Sequence, residues 1–460
     1  MEEQKEERKI KIIIGNGFDL ECGLHSKFSD YFFGYKKING NRVRGICDKI
    51  DFNRLTNKIS YCITKYIEYS ESHKISKNTI TRSLISLFKK YDLFDKINFW
   101  EYWFFTRAKN NHNPKWMDVE QWLYEGLINI KSLDKETDLF TMPLGSLPSK
   151  LAQLWINIKT TREYCQEHLL IVSLFFFIKK ILKNPLKYNE YMNLRDILLL
   201  ELNDFEKSFS SFLKSEIKYI GKETFKNKAF KLINKITQNK TNKETLFYSI
   251  DSFNYTTYDL KSLSNKYKNI KKNKNIPIIT SFNSLHGRLN IHNIYTKKFD
   301  DNIIVGIDNE YKYKTKTEIS HEKIHKKIKI VNPIDENLLY FSKSERRRNL
   351  FDLYPSLQYK NDDFNEIIIF GHSLGKQDRQ YFFSLFDQIK LYDLAYIKKD
   401  NIKIIFYYYS KGKDSEYSNK LLNVRNLFFE YQNSKNFQVH DLLATLELMG
   451  VVEYKKIKGW

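Results

Sequence analysis

The sequence predicts an α/β fold: a mainly parallel sheet covered by helices, with a large all-α insertion between the first strand-helix unit and the remaining strands. Three observations carry this expectation. Ile10–Ile14 is a short, almost unbroken β-branched run of the kind buried on both faces of a sheet, and it ends in Gly15-Asn16-Gly17 before an amphipathic segment. The same order of strand, glycine turn and helix returns at residues 365–386, NEIIIFGHSLGKQDRQYFFSLF. Between them lies a block of roughly 200 residues with helical periodicity and no long β alternation.

Composition sets the outer bounds. The chain has 460 residues, enough for one large core with an insertion or for two domains. Hydrophobic residues make up 42% and aromatics 15%, with only 7 Pro and 16 Gly, which places it among globular chains. The net charge of +22 fits either an anionic partner or a lysine-rich composition spread over all surfaces. The lysines are scattered, without Arg-rich blocks, so nucleic acid is not the favoured partner. Cys22, Cys47, Cys62 and Cys165 include no CxxC pair, so neither disulfide staples nor a structural zinc is expected. MEEQKEERK lacks an apolar core for a signal peptide, and the run Leu169–Ile178 is too short to span a bilayer. A cytoplasmic protein with no membrane contact is expected.

Taken in order, residues 28–110 read as helices with aromatic faces (Phe28, Tyr31, Phe32, Phe33, then Leu84–Phe88), and NFWEYWFF (98–105) as packing between helices. WMDVEQWLYEGL (116–127) is amphipathic, with Asp118 and Glu120 in its first turn, where acids favour a helix start. Helices continue through 169–182 and 194–213, the latter with apolar residues at helical spacing. Strand character returns at 245–260, 276–289, 301–308, 365–370 and 401–409, and a helix follows near 417–430. The expected division is residues 1–40 and 245–460 as a nucleotide-binding domain, with 41–244 as the helical insertion.

Open α/β sheets bind ligands at the carboxyl ends of their strands. Here those ends carry Gly15-Asn16-Gly17, Asn254, His286 and Gly371-His372-Ser373. A glycine turn opening a helix can direct backbone N–H groups at a phosphate. The third glycine of a dinucleotide fingerprint is replaced by Leu20, so a purely structural turn is equally compatible. Asn254 fits a helix N-cap as well as a ligand group. His286 fits a hydrogen-bonded structural histidine, and Asp378 a first-turn acid.

The segments GNGFDLECGL, WMDVE, SFNYT, LHG, VGID and IFGHSLGKQDRQYF, in this order, resemble the motifs of the bacterial abortive-infection AbiH family. More distantly, the order GNG, FNYT, LHG, GHSL and D is similar to the sirtuin-like NAD-cleaving domains of antiphage systems, which use a Rossmann-type sheet. The resemblance implies a Rossmann-like fold and assigns Gly15, Asn16, Gly17 and Asp19 to an NAD pocket. It makes Asn254 the residue that orients the nicotinamide ribose or the attacking water, and His286 the general base. Gly371, Ser373 and Asp378 would hold the adenosine side, with His372 as a ligand-facing polar group in the same turn. NAD is then a substrate, no metal is required, and a phage-derived trigger and a homo-oligomer are compatible with the role. A carboxylate from the insertion, Asp118 or Glu120, is a further candidate. Two other classes stay open. One is an HEPN-like ribonuclease in the helical block, using Arg107 and His112 or Arg162 and His168. The other is a non-catalytic nucleotide sensor.

Overall fold

The computed structural model describes residues 7–36, 42–46, 98–108, 116–134, 137–147, 192–237, 245–256, 278–289, 302–307, 336–343, 345–346, 364–400, 402–409, 414–435 and 440–457, with a few single positions between them. Two compact units result. One comprises Met1–Ser26, Ser210–Ile304 and Leu350–Trp460, and the other Lys27–Phe209 and Val305–Asn349. The expected helices over Leu84–Phe88 and, apart from the buried, helical Leu174, over 169–182 lie outside the described residues, as do Cys47, Cys62 and Cys165.

The chain opens with β1 (Glu7–Ile14), then α1 (Asn16–Glu21). In the second unit it continues through α2 (Phe28–Phe33), the short antiparallel pair β2 (Tyr35–Lys36) and β3 (Arg42–Val43), α3 (Phe99–Ala108) and α4 (Trp116–Ser132). The aromatic cluster of α3 is core: Phe99, Trp100, Tyr102, Trp103 and Phe104 are all buried. Gly126 of α4 admits the indole of Trp103, whose Nε1 donates to the Trp122 carbonyl at 2.7 Å. Charge in this core is paired. Glu101 accepts from the Tyr31 hydroxyl at 2.7 Å, and Arg346 places Nη1 2.6 Å from Glu206 Oε1. Glu206 also accepts from the Val305 N–H at 2.6 Å. The last helix of the block, α5 (Leu194–Ile220), buries Leu194, Ile197, Leu198, Leu202, Phe205, Phe209, Leu213 and Ile217, the face expected from its periodicity.

The sheet unit resumes with α6 (Lys222–Ile236), β4 (Thr245–Ser252) and β5 (Ile278–Ser284), followed by the two-residue strands β6 (Gly287–Arg288) and β7 (Asn302–Ile303). After α7 (Glu336–Leu339) of the other unit come β8 (Glu366–Phe370), α8 (Arg379–Gln388), α9 (Leu394–Asp400) and β9 (Lys403–Tyr409). The chain ends with α10 (Asp414–Lys435), α11 (Leu442–Leu448) and β10 (Val452–Ile457). The sheet order is β10-β9-β8-β1-β4-β5, and every neighbouring pair is parallel. Renumbered by position in the chain, these six strands run 6-5-4-1-2-3, the doubly wound Rossmann order.

Two strand expectations need correction. The run 301–308 does not join the sheet. Among its described residues, Asn302–Ile303 pairs antiparallel to Gly287–Arg288 and Ile307 makes a single parallel bridge to Ser342, while Ile304 and Val305 are buried outside any strand. A buried apolar run satisfies packing without a ladder, so hydrophobicity alone is misleading there. The sixth strand is instead β10, VEYKKI, whose mixed polar pattern suits a sheet edge guarded by Lys455 and Lys456.

β1 carries Ile10, Ile12 and Ile14 on one face and Lys11 and Ile13 on the other, all buried. Burying Lys11 is costly unless it is paired. Its Nζ lies 2.7 Å from Asp251 Oδ2 of β4 and donates to Ser249 Oγ at 3.2 Å. Asp251 accepts further bonds from Asn283 Nδ2 (2.8 Å) and the Tyr381 hydroxyl (2.5 Å). The carboxylate is thus held by three donors, and the polar network stands directly below the strand ends. Among the described residues, no helix is long and apolar enough to cross a membrane.

Candidate active site

The chain passes from β1 to β4 and β5 on one side, then returns to β8, β9 and β10 on the other. The crevice of such a sheet opens where the order reverses, here between the carboxyl ends of β1 and β8. Both strands end in glycine turns, and the two turns press on each other. The Gly15 N–H donates to the Phe370 carbonyl at 3.0 Å, and the Gly17 N–H to that of Gly371 at 2.9 Å. A Cβ at Gly15 would stand 2.5 Å from the His372 Cα, and one at Gly17 2.7 Å from the Gly371 Cα. Gly371 itself takes a positive φ of 67°. The glycines are therefore required by backbone contact between the turns, and the N–H groups of Gly15 and Gly17 are committed to it.

Asp19, Asn254 and Thr256 form the first group. Asn254 follows β4 and donates Nδ2–H to the Gly15 carbonyl at 3.0 Å, while its own N–H is held by Ser252 Oγ at 3.1 Å. Its Oδ1 is buried and accepts no hydrogen bond from the described residues. Asp19, on α1, is bonded by the Thr256 hydroxyl and the Asn254 side chain. Burial nevertheless dominates and pushes its carboxyl up to about 7, so Asp19 titrates near neutrality rather than in the usual carboxylate range. Asn16, beside them in the turn, accepts from Ser26 Oγ at 2.5 Å. The reading of Asn254 as a helix cap falls on residues 257–260, outside the described residues.

His286, Asp378 and His372 form the second group. His286 follows β5 in the turn to Gly287, which takes a φ of 92°. Asp378 closes a single 3-10 turn (Lys376–Asp378) ahead of α8. Its Oδ1 lies 3.1 Å from His286 Nε2 and its Oδ2 3.3 Å from His372 Nε2. Both imidazoles are buried, and Phe253 stands edge-on to each, with centroids at 5.2 Å and 4.2 Å. The His372 Nδ1 accepts the Leu374 N–H at 2.9 Å, a turn stabilised with Leu374 at a positive φ of 58°. Ser373 is exposed, and its carbonyl accepts from Asn423 Nδ2 at 3.1 Å.

The structure therefore brings together Gly15, Gly17, Gly371 and His372 through the turns, Asp19 with Asn254, and His286 with Asp378 and His372. Asp118 and Glu120 belong to α4 of the helical unit. There Glu120 is buried against Lys343 Nζ at 2.9 Å, and Asp118 occupies the first turn. Arg107 ion-pairs with Glu125 and packs over Trp103, while His112, Arg162 and His168 lie outside the described residues.

Sequence reasoning missed Thr256, Phe253, Lys420 and Asn423. Lys420 of α10 donates to the His372 carbonyl at 2.9 Å, and desolvation pushes its ammonium down to about 7. Phe253 and Thr256 stand within two residues of Asn254 in SFNYT, so the segment itself held the signal. One lysine among many, 48 residues beyond His372, offers no local signal. Among the described residues no group of three or more His, Cys, Asp or Glu is arranged to hold a metal ion.

No curated protein and no solved structure matches the chain. The family model described as "Bacteriophage abortive infection AbiH" matches residues 12–397, from within the first strand into α9. That match takes in both glycine turns, the Asn254 and His286 strand ends, and the helical unit, so the chain belongs to the AbiH family of bacteriophage abortive infection.

Proposed function

We propose that this abortive-infection protein hydrolyses the nicotinamide–ribose bond of NAD or a related nucleotide, with His286 as general base and Asn254 orienting ribose or water. The observation that carries the reading is the convergence, at one set of strand ends, of a buried imidazole and a buried amide oxygen that accepts no hydrogen bond from the described residues. Asn254 Oδ1 is aligned by the two bonds that fix its amide and backbone, and it requires an external donor such as a ribose hydroxyl or a water.

In the reaction, water adds to the ribose C1′ as the C1′–N bond breaks, and nicotinamide leaves as a neutral molecule. The proton released from water passes to His286, a residue type whose unperturbed pKa of about 6.5 suits the task. The oxocarbenium-like transition state favours a nearby anion, and Asp19, whose carboxyl burial raises to about 7, is the carboxylate beside Asn254. The basic net charge of +22 favours capture of an anionic nucleotide. The cellular setting of this proposal is the cytoplasm, with a phage-derived signal as trigger.

Purified protein incubated with NAD is expected to release nicotinamide, and His286→Ala and Asn254→Ala to abolish both release and toxicity while remaining folded. Retained toxicity in both variants would overturn the assignment.

A further inference from the structure

Two histidines share one carboxylate at this site, and the hydrogen bonds determine where their protons lie. The Leu374 N–H donates to His372 Nδ1 at 2.9 Å, so that nitrogen carries a lone pair and no proton. The ring proton of neutral His372 is then on Nε2, which faces Asp378 Oδ2 at 3.3 Å. Lys420 fixes the same residue from behind through its carbonyl. His372 is thereby held as a donor to Asp378. The other carboxylate oxygen meets His286 Nε2 at 3.1 Å. An ionised carboxylate accepts only, so His286 must donate from Nε2, and its basic lone pair is on Nδ1.

We propose that Asp378 is the positioning residue of the site: anchored by His372, it holds His286 as the Nε2–H tautomer and makes Nδ1 the proton-accepting atom. This rests on the reading of His286 as general base, and it moves Asp378 from the adenosine side of a nucleotide, and His372 from a ligand-facing role, to the support of that base. The geometry follows the logic of a hydrolase triad, in which a buried aspartate fixes the imidazole tautomer and changing it to asparagine leaves the shape intact but the tautomer wrong.

Asp378→Asn makes a sharp case here. Because His372 is fixed as a donor, the oxygen of the introduced carboxamide must face His372, and the amide N–H then points at His286 Nε2. His286 must accept there, and its proton moves to Nδ1.

The test is imidazole nitrogen NMR of the full chain at pH 8.5, with His286 and His372 assigned by substitution. The parent is expected to show Nε2–H and bare Nδ1 in both rings, and Asp378→Asn to exchange the two nitrogen signals of His286 only. An unchanged His286 tautomer in Asp378→Asn overturns the proposal. If that variant does not fold, the parent spectrum decides, because a protonated Nδ1 in either ring is equally fatal. Nicotinamide release is followed in parallel. Its absence from the parent with the tautomer result intact removes the NAD reading and leaves the positioning role standing.

Discussion

Asn254 reaches across from the end of β4 to the turn after β1, its Nδ2–H bonding the Gly15 carbonyl at 3.0 Å. One side chain thus joins two strand ends whose residues are 239 positions apart in sequence. The same amide bonds Asp19, and its buried Oδ1 accepts no hydrogen bond from the described residues. Asn254→Ala removes the buried amide's hydrogen bonds to the Gly15 carbonyl and to Asp19, while the Gly15 carbonyl keeps the Phe18 N–H at 2.8 Å, at a cost of about 0.5–1.5 kcal/mol. Asn254→Asp keeps the size but sets a carboxylate beside Asp19 and the Gly15 oxygen. The expected order of urea midpoints at pH 8 is parent, then Ala, then Asp. An Asp variant as stable as the parent would show that Asn254 does not face these oxygens.

The paired glycine turns lead to a stability expectation that is independent of chemistry. Gly15→Ala drives a Cβ into the backbone of His372, and neither backbone has a flexible end that can give way. A loss of about 1–3 kcal/mol is expected, as for overpacking elsewhere in a core. Gly371→Ala adds a left-handed conformation to a clash with the Phe18 N–H. By contrast, Gly145→Ala meets open space and should melt with the parent. Thermal unfolding of the three variants checks this, and a Gly15→Ala melt matching that of Gly145→Ala would refute the close approach.

What the sequence makes legible follows from what is local. Ile10–Ile14 and Ile367–Phe370 announce strands because burial on both faces demands continuous β-branched or aromatic residues, and the glycine turns after them are read from the next three positions. β10 is not legible, because an edge strand needs only half its residues apolar. Asp378 is visible as an acid at a helix start, but its contact with His286, 92 residues away, is made by the fold. The same holds for Lys11, whose place in an isoleucine strand looks like an error until Asp251 is set beside it.

The Lys11–Asp251 pair is nearly sealed from water, with side-chain exposures of 1% and 0%. Removing one partner of such a pair leaves an uncompensated buried charge and costs about 3–5 kcal/mol. Lys11→Met should therefore destabilise strongly. Combining Lys11→Met with Asp251→Asn should recover part of the loss, since the neutral amide still serves Tyr381 or Asn283. A double-mutant cycle by urea unfolding measures the coupling. Additive losses would mean that the two charges do not see each other.

Asp19 makes the stability of the protein depend on pH in a definite direction. Its carboxyl is raised from 3.8 unfolded to about 7 folded, so between those values the native state holds a proton that the unfolded chain has released. Stability from this group is complete below about pH 3.8, falls through the window up to about 7 and is flat above it. The slope is roughly 1.4 kcal/mol per pH unit at full protonation difference. Asp19→Asn mimics the protonated form and lacks the slope. The stability difference, variant minus parent, should therefore grow in the variant's favour from pH 4 to 7 and stay constant from 7 to 9. Urea midpoints across that range decide it, and parallel curves would mean that Asp19 is ionised in the folded protein throughout. Activity should move oppositely if the Asp19 anion supports the transition state: Asp19→Asn would then be the more stable protein and the slower enzyme.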